Sequence, residues 1–462
     1  MHTYTPTIGL EIHAELKTKT KMFCASRNHS DETRSNANVC PVCMGHPGTL
    51  PVPNIEAVRH LVRIGRALRG TIASRAEFVR KNYFYPDLPK GYQISQYALP
   101  LVSGGTLSGI AITRVHLEED TARSVHHGGH SLVDYNRAGV PLMELVTEPV
   151  IQSAKEAADF ARELQLLLLY LSASEANMEK GEMRVEANVS VSVSNRLGTK
   201  VEIKNLNSFR AVERAIEYEI KRQTALLERG ERVAQETRGW DDVKGVTLSQ
   251  RSKEESHDYR YFAEPDVPVY AVASDTGVLP ELPWERRERY TRLGLKKEQA
   301  ELLTMQREVG DFFDAAARTL DEGERTLAAN YVISDVLGLR TKTGVDNFGT
   351  LSPKHFAELI HMLAVGDISS RVGKDILAEL FIRAIAPRAL ATERGLLQQS
   401  GPEELARAAE KICAVHSRAV GDYRAGKREA LAFLVGQGMK EMKGAAHPKK
   451  LREALKNALE TA

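Results

Sequence analysis

Alternating apolar and polar residues predict β-strands in the first part of the chain. In residues 8–15 every second residue is apolar, so Glu11 and His13 share the polar face of a predicted strand, about 7 Å apart. Residues 153–171 instead carry apolar side chains at helical spacing and begin with the Ser-x-x-Glu pattern of a capping box. The pattern therefore indicates strands interspersed with at least one helix.

Two further strands are predicted within residues 184–204, on either side of turn residues 195–198. A three-residue loop would place Glu202 opposite Ser190, on the same polar face as Glu186. A four-residue loop would put the polar faces of the two strands out of phase. The register of this hairpin therefore depends on which loop forms.

The pattern changes near residues 280–283, where two prolines disfavour a continuous helix or a central strand. Strand and turn patterns predominate before this point, and helical patterns follow it. A second helix start lies at residues 400–403. Together with the length of 462 residues, these boundaries predict three domains, over residues 1–290, 291–395 and 396–462.

Composition indicates a folded protein without an obvious class of partner. The 63 Lys and Arg residues nearly balance the 61 Asp and Glu residues, and a net charge of +2 predicts neither nucleic-acid nor membrane binding by the whole chain. Residues 416–456, however, hold ten basic against four acidic residues. The densest apolar run, residues 166–171, is far shorter than the ~18 residues that cross a bilayer, and the N-terminus lacks a signal-peptide pattern. We expect a cytoplasmic protein with no membrane segment.

Acidic residues on the predicted strands are the main candidates for chemistry. His116, Glu118 and Asp120 share one face of a strand, and Glu144 interrupts an apolar run, where a carboxylate is costly unless paired or coordinated. Carboxylate oxygens are preferred ligands of Mg²⁺, which often bridges substrate phosphates. The candidates are Glu11, His13, Glu118, Glu144, Glu186 and Glu202. Alternatively, some of them are ordinary solvent-facing residues, because one sequence does not reveal strand pairing.

Cys24, Cys40 and Cys43 form a second candidate site. The C-x-x-C spacing of the last two suits a tetrahedral zinc ion, but a structural zinc site has four ligands. The fourth would have to be His29, His46 or another residue. The alternative is a turn with reduced thiols, and both interpretations stay open.

Three other motifs have more than one interpretation. Residues 81–92 and 258–262 mix aromatic with basic side chains, which fits either stacking of nucleobases or half-buried strand edges. Residues 421–427 match the G-x4-G-K start of a phosphate-binding loop, but Arg428 replaces the Ser or Thr that should follow, and no strand precedes them. We therefore predict a turn between helices there. The histidines of residues 126–130 flank two glycines and predict an exposed loop rather than a metal site.

Several segments together resemble the B-subunit family of tRNA-dependent amidotransferases. They follow the same order and extend over nearly the whole chain, so this resemblance is more specific than any single motif above. The first ones are residues 8–13, 40–43, 81–96, 116–120, 136–137 and 141–144. The others are residues 204–209, 235–238, 258–262 and 435–440.

The resemblance implies a fold and an assembly. Residues 1–290 would form an α+β cradle domain with antiparallel sheets, related to the glutamine synthetase and guanido kinase fold. An all-α helical domain would follow over residues 291–395, and a small all-α tail over residues 396–462 would bind tRNA. The implied partners are an A subunit, which releases ammonia from glutamine, and a C subunit that completes a heterotrimer.

The resemblance also implies a reaction on misacylated Glu-tRNA(Gln) or Asp-tRNA(Asn). The B subunit would use ATP and Mg²⁺ to phosphorylate the side-chain carboxylate of the attached amino acid, and ammonia would displace the phosphate to leave an amide. This chemistry agrees with the acidic residues on the strands, because phosphoryl transfer depends on positioning and on cations that neutralise charge on the phosphate oxygens.

Residue roles follow by matching the family's motifs. Catalytic roles are implied for Glu11, His13, Glu118 and Glu144. Magnesium ligation is implied for Glu11, His13, Glu118, Glu144 and Glu202. ATP binding is implied for Glu186, Lys204, Asn205, Asn207 and Ser208, whereas Zn²⁺ binding by Cys24, Cys40 and Cys43 stays open. The chain departs from the family at Glu186, where Asp is more frequent, and at Ser26, where many members have a cysteine.

There are two alternatives to a catalytic amidotransferase subunit. A non-catalytic tRNA-binding or scaffolding subunit of the same fold would have no need of the carboxylates, yet all of them are present. A metal-dependent ligase of free small acids would have no use for a basic helical tail. We therefore expect the catalytic subunit.

Overall fold

The computed structural model contains two compact units, Met1–Pro283 and Trp284–Ala462. The residues it describes are 3–29, 31–193, 196–252, 259–274, 276–345, 347–397, 401–442, 446 and 448–461. Of the positions discussed above, Asn195, Asp258 and Ser400 lie outside these ranges. No helix in the described part of the chain has both the length and the apolarity needed to cross a membrane.

A large sheet is the framework of the first unit. Its described strands, numbered along the chain, are β1 Thr5–Glu15, β2 Thr71–Ile72, β3 Arg75–Ala76, β4 Val79–Asn82, β5 Tyr92–Ser95, β6 Val102–Ser103, β7 Thr106–Leu107, β8 Ile110–Glu119, β9 Arg123–His127, β10 His130–Asp134, β11 Pro141–Thr147, β12 Met183–Ser192, β13 Val201–Leu206, β14 Glu236–Asp241, β15 Val246–Ser252, β16 Phe262–Ala263 and β17 Tyr270–Ala271. The large sheet has the order β15-β14-β13-β12-β1-β11-β8-β6-β2, and β7 pairs with β8. Three small sheets pair β9 with β10, β4 with β5 and β16, and β3 with β17.

The expected antiparallel pairing is confirmed across the centre of the sheet. Here β1 lies between β11 and β12 and is antiparallel to both. A parallel pair, β13–β14, departs from the expectation. It occurs because a helix crosses over between these two strands, a connection that parallel strands require.

Three helices accompany the sheet: α1 Ile55–Ala67, α2 Ala154–Tyr170 and α3 Phe209–Glu228. Helix α2 confirms the predicted helix and its start, because the Ser153 side chain accepts a hydrogen bond from the Glu156 amide. Helix α3 packs against β12 and α2 packs against α3. The apolar face of β1 is buried, which leaves Glu11 and His13 on the opposite face, as the alternation predicted.

The hairpin predicted within residues 184–204 has a different register from the one that a three-residue loop gives. β12 and β13 are joined by a longer connection, and Glu202 pairs with Asn188 rather than with Ser190. This shift is two residues, an even number, so Glu202 still projects from the same face as Glu186.

The second unit is helical in its described residues, as predicted. Its helices are α4 Pro283–Arg292, α5 Lys297–Met305, α6 Arg307–Ala317, α7 Glu322–Tyr331, α8 Leu337–Thr343, α9 Pro353–Val365, α10 Ser370–Leu380, α11 Pro387–Glu393, α12 Pro402–Val415, α13 Ser417–Arg424, α14 Glu429–Glu441 and α15 Pro448–Thr461, with a π-helical turn at Val332–Val336. Two separate apolar cores form here, one within residues 290–391 and the other within residues 405–459.

Two of the ambiguous motifs are resolved by the fold. Residues 421–427 span the end of α13 and the turn before α14, which confirms the predicted turn between helices, and Lys427 Nζ lies 2.9 Å from the Asp422 carboxylate. The histidines of residues 126–130 are exposed as predicted, although they lie on the β9–β10 hairpin rather than in a loop.

Candidate active site

Three antiparallel strands bring the predicted acidic residues together. His13 on β1 lies directly opposite Glu144 on β11, and Glu144 lies directly opposite His116 on β8. Glu11 and Glu118 are two residues from His13 and His116, so they project from the same face of the sheet. Because neighbouring strands are about 4.8 Å apart, the five side chains occupy one small region.

These side chains form two groups that share Glu144. His13 Nε2 lies 3.3 Å from Glu144 Oε2, 3.5 Å from Glu118 Oε1 and 3.8 Å from Glu11 Oε1. His116 Nε2 lies 3.4 Å from the same oxygen of Glu144. His116 was not among the residues to which a role was assigned, although its alternation with Glu118 was a signal that pointed to it.

Burial and mutual charge shift the pKa values of this cluster. Burial and the Glu144 charge raise the pKa of Glu11 to about 7. Burial opposes protonation of His13, but the interactions with Glu144, Glu118 and Glu11 outweigh it and raise the pKa of His13 to about 9. Burial also acts against the charge of Glu144, yet His116 and His13 hold its pKa well below the usual value. The cluster is a buried anionic centre that requires neighbouring positive charge.

The donor set fits a divalent cation. The ligand atoms of Glu11, His13 and Glu144 all lie within 4.8 Å of one another, and so do those of His116, Glu118 and Glu144. Carboxylate oxygens suit Mg²⁺ and Mn²⁺, and an imidazole nitrogen suits transition metals such as Mn²⁺ better than it suits Mg²⁺. Four of these five residues were predicted as metal ligands from the sequence.

The cluster forms part of the lining of a cavity of about 450 Å³ that also contains basic groups. Arg114 Nη2 lies 3.5 Å from Glu144 Oε1. Although burial opposes the charge of Lys81, the carboxylates of Glu118 and Glu144 raise its pKa. Neither base was predicted as a site residue. Lys81 could have been found from its place in the aromatic and basic segment, and Arg114 from its alternation with His116.

A lysine-centred group also lines the cavity. Lys204 Nζ on β13 lies 2.8 Å from Glu186 Oε2 on β12 and 3.4 Å from Glu202 Oε1. The Thr237 hydroxyl donates a hydrogen bond to Glu202 Oε2 at 2.6 Å. Glu202 is therefore paired with Lys204 and lies outside the two groups that share Glu144.

Three of the residues predicted to bind ATP are not among the described residues that line this cavity: Asn205, Asn207 and Ser208. Ser208 caps α3, and its side-chain oxygen accepts a hydrogen bond from the Ala211 amide at 3.0 Å. Asn205 is exposed and adopts a left-handed backbone conformation, with φ of 65°. Only Glu186 and Lys204 of the predicted ATP-binding set reach the cavity.

Buried polar groups orient the acidic residues. The Ser95 hydroxyl on β5 donates a hydrogen bond to Glu118 Oε2 at 3.2 Å. Arg184 Nη2 lies 2.7 Å from Asp120 Oδ2, and Arg137 Nε lies 3.5 Å from the same oxygen. Burial opposes the charge of Asp120, but the two guanidinium groups lower its pKa. These partners were not predicted, because each contact joins residues far apart in the sequence.

The three cysteines lie together but do not fit a closed structural zinc site. Their sulfur atoms are all within 4.8 Å of one another, and no other cysteine, histidine or carboxylate of the described residues completes the group. His29 and His46, the expected candidates for a fourth ligand, are thus not part of it. Instead the buried Lys21 Nζ lies 3.7 Å from Cys43 Sγ, and the Ser26 hydroxyl oxygen lies 3.9 Å from the same sulfur.

Comparison with known proteins places this site in a recognised domain. Residues 6–277 match the family model described as the GatB/GatE catalytic domain, and residues 311–459 match the model described as the GatB domain. The first match spans all the acidic residues of the cavity.

Similar proteins share nearly the full length of the chain. One from Thermus thermophilus is 46% identical over 467 residues, and one from Carboxydothermus hydrogenoformans is 43% identical over 483 residues. One from Persephonella marina is 41% identical over 473 residues. Each alignment covers 99% of both chains, and all three proteins are named as the B subunit of an aspartyl/glutamyl-tRNA(Asn/Gln) amidotransferase. The chain therefore belongs to the B-subunit family of tRNA-dependent amidotransferases.

Proposed function

We propose that this chain is the kinase and transamidase subunit of an ATP-dependent amidotransferase. Its substrates are misacylated Glu-tRNA(Gln), Asp-tRNA(Asn) or both, and its products are Gln-tRNA(Gln) and Asn-tRNA(Asn). One observation carries the proposal: Glu11, His13, Glu118 and Glu144 converge from three strands around a single cavity. The names of relatives that are 41–46% identical agree with it.

The proposal extends to the domains. Residues 1–290 act as a catalytic cradle of the glutamine synthetase and guanido kinase type, residues 291–395 as a helical domain and residues 396–462 as a tRNA-binding tail. The separate apolar cores within residues 290–391 and 405–459 support the last division. The basic excess of the tail favours contacts with phosphate groups.

Different side chains of the cavity bind the cation and the phosphoryl group during phosphoryl transfer. Glu11, His13, Glu118 and Glu144 hold a divalent cation, Mg²⁺ in the cell, whereas Glu202 is paired with Lys204 at the other end of the cavity. When bound, this cation neutralises negative charge on the phosphoryl group. Arg114 and Lys81 provide fixed positive charge beside the same carboxylates and orient the phosphoryl oxygens.

The nucleotide is assigned to the lysine-centred end of the cavity. Lys204 binds phosphate oxygens of ATP with its ammonium group, and Glu186 orients that lysine through the 2.8 Å contact. Asn205 on β13, and Asn207 and Ser208 just before α3, would contact ATP outside the cavity lining. Glu186 reaches about one methylene further than the more frequent Asp, so it can hold Lys204 across the β12–β13 pair.

The remaining parts of the proposal concern partners and location. Ammonia comes from glutamine hydrolysed by an A subunit, and a C subunit completes the heterotrimer. The assembly works in the cytoplasm with the translation apparatus. Cys24, Cys40 and Cys43 supply three of the four ligands of a closed structural zinc site, and no other described residue completes the set.

The test uses the purified three-subunit complex on both misacylated tRNAs. Glu144→Gln removes one anionic charge but keeps the shape of the side chain, so we expect amide formation to fall more than about 100-fold while tRNA binding persists. The matched control is Glu217→Gln, an exposed position on α3, which should keep full activity. Full activity of Glu144→Gln would favour the alternative, a non-catalytic tRNA-binding or scaffolding subunit.

A further inference from the structure

The order of strands gives the cavity two chemically different ends. Lys204 lies on β13 and Glu118 on β8, four strand spacings or about 19 Å across the sheet. Beyond β8, Ser95 on β5 contacts Glu118, and β4, which carries Lys81, pairs with β5. The end opposite Lys204 is therefore bounded by these short strands and the loops that follow them.

Tyrosines cover this opposite end. The rings of Tyr97 and Tyr261 are stacked, with centroids 4.4 Å apart and planes inclined by 8°. The ring of Tyr259 lies edge-on to the rings of Tyr261 and Tyr83, with ring centroids 6.0 Å and 5.9 Å apart. The rings of Tyr83 and Tyr85 are also edge-on, with centroids 6.0 Å apart. We call these five residues the tyrosine wall. All of them line the cavity that contains the carboxylates.

The tyrosine wall is not a hydrophobic core. Tyr97 is 55% exposed and Tyr85 is 50% exposed, so both residues of the cavity lining stay accessible. The wall is nevertheless ordered by polar contacts, since the Tyr83 hydroxyl donates a hydrogen bond to Gln93 Oε1 at 2.9 Å. The Lys81 ammonium lies 5.1 Å from the centre of the Tyr259 ring, where it can also face a phosphate. Open aromatic faces beside a fixed cation are typical of sites that bind an unpaired nucleotide.

We propose that the tyrosine wall binds the adenine base of the 3′-terminal adenosine of the aminoacylated tRNA, stacked on the Tyr97–Tyr261 pair. This inference rests on the proposed function. Every tRNA carries its amino acid on the ribose of that terminal adenosine, so only this ribose and the amino acid itself separate the base from the reacting carboxylate. ATP is the other source of adenine. Its phosphates are assigned to the Lys204 end, which places its base away from the wall.

Kinetics of the complete three-subunit enzyme test the proposal. Tyr97→Ala removes the exposed ring of the stacked pair without touching the metal ligands. We expect KM for the misacylated tRNA to rise about 5- to 150-fold, the worth of stacking one base, while kcat and KM for ATP stay unchanged. Tyr97→Phe keeps the ring and should behave as the wild type. The control is Phe84→Ala, which removes an aromatic ring that is 87% exposed and does not line the cavity.

A binding measurement separates the two sources of adenine and does not depend on turnover. Wild-type enzyme should bind intact uncharged tRNA more tightly than tRNA that lacks only its terminal adenosine, and Tyr97→Ala should bind the two tRNAs equally. A persistent preference in Tyr97→Ala would overturn the proposal, as would a rise in KM for ATP alone or an equal effect of Phe84→Ala. If wild-type enzyme amidates neither tRNA, the proposed function fails, and the binding comparison still decides whether the wall contacts the terminal base.

Discussion

His13 and Glu144 lie directly opposite each other on β1 and β11, with 3.3 Å between His13 Nε2 and Glu144 Oε2. The charged form of each side chain is stabilised by the other. Glu144 is only 6% exposed at its side chain, and its charge is tolerated there because positive groups adjoin it. The β1–β11 pairing therefore decides whether a cation site can exist at all.

Removing the imidazole of His13 should weaken cation binding. We expect His13→Ala to lower the affinity for Mn²⁺, used as a probe that accepts both oxygen and nitrogen ligands, by more than about 100-fold. Isothermal titration calorimetry on the full chain measures this directly. His130→Ala, at an exposed position on β10, is the control and should bind Mn²⁺ as the wild type does. Equal Mn²⁺ affinity in the two variants would exclude His13 from the site.

Ser95 should act by orienting Glu118. Its hydroxyl donates the 3.2 Å hydrogen bond to Glu118 Oε2 within a buried environment. We expect Ser95→Ala to lower Mn²⁺ affinity about 10-fold, since groups that orient metal ligands typically contribute 10- to 100-fold. The free energy of unfolding should fall by about 1.5–3 kcal/mol, as for loss of one hydrogen bond to a charged group. Ser103→Ala, exposed on β6, provides the control. A loss of stability without a change in Mn²⁺ affinity would show that Ser95 has a structural role only.

We expect Ser26 to determine whether the group of Cys24, Cys40 and Cys43 binds zinc. With three thiols and the Lys21 ammonium 3.7 Å from Cys43 Sγ, we expect the wild-type chain to purify with well under one zinc ion. Ser26→Cys supplies a fourth thiol 17 positions before Cys43 and should raise the content to about one zinc ion per chain. Ser26→Ala is the matched control and should stay without zinc. Elemental analysis by mass spectrometry measures the ratio, and a full zinc ion in the wild type would contradict the expectation.

The tail should affect tRNA binding without affecting the cavity. It has an apolar core of its own, in which Leu455 is fully buried. We expect deletion of residues 401–462 to weaken tRNA binding strongly and to reduce its dependence on salt, because basic residues that contact phosphates are lost. ATP and Mn²⁺ binding should persist.

Filter binding at several salt concentrations measures the loss of tRNA affinity. Leu455→Ala, which lowers the stability of the tail by about 2–5 kcal/mol, should reproduce part of this loss. Equal tRNA affinity with and without the tail would refute its assignment.

Local patterns in the sequence were sufficient for much of the fold. Alternation in residues 8–15 identified β1 and put Glu11 and His13 on its polar face, and helical spacing identified α2 with its cap at Ser153. The G-x4-G-K motif was correctly assigned to a turn between helices, because Arg428 could not replace the required hydroxyl. Such features depend on residues that are only a few positions apart, so a single sequence is sufficient to predict them.

Long-range pairing was beyond the sequence. The hairpin register was two residues away from the three-residue-loop register, since the length of the connection and the packing of both strands set it together. Strand order likewise decided that Glu202 pairs with Lys204 instead of joining the groups around Glu144. It also decided that His29 and His46 lie outside the cysteine group.

The sequence by itself determined which acidic residues are candidates for the chemistry and which face of its strand each one occupies, because side-chain direction follows from the two-residue period of a strand. Only the tertiary structure decided which of these residues meet. It put His116 against Glu144, placed Arg114 and Lys81 beside the carboxylates, and gathered tyrosines from distant segments into one wall. These contacts join residues on different strands, and the free energy that fixes them comes from packing of the whole sheet rather than from any local segment.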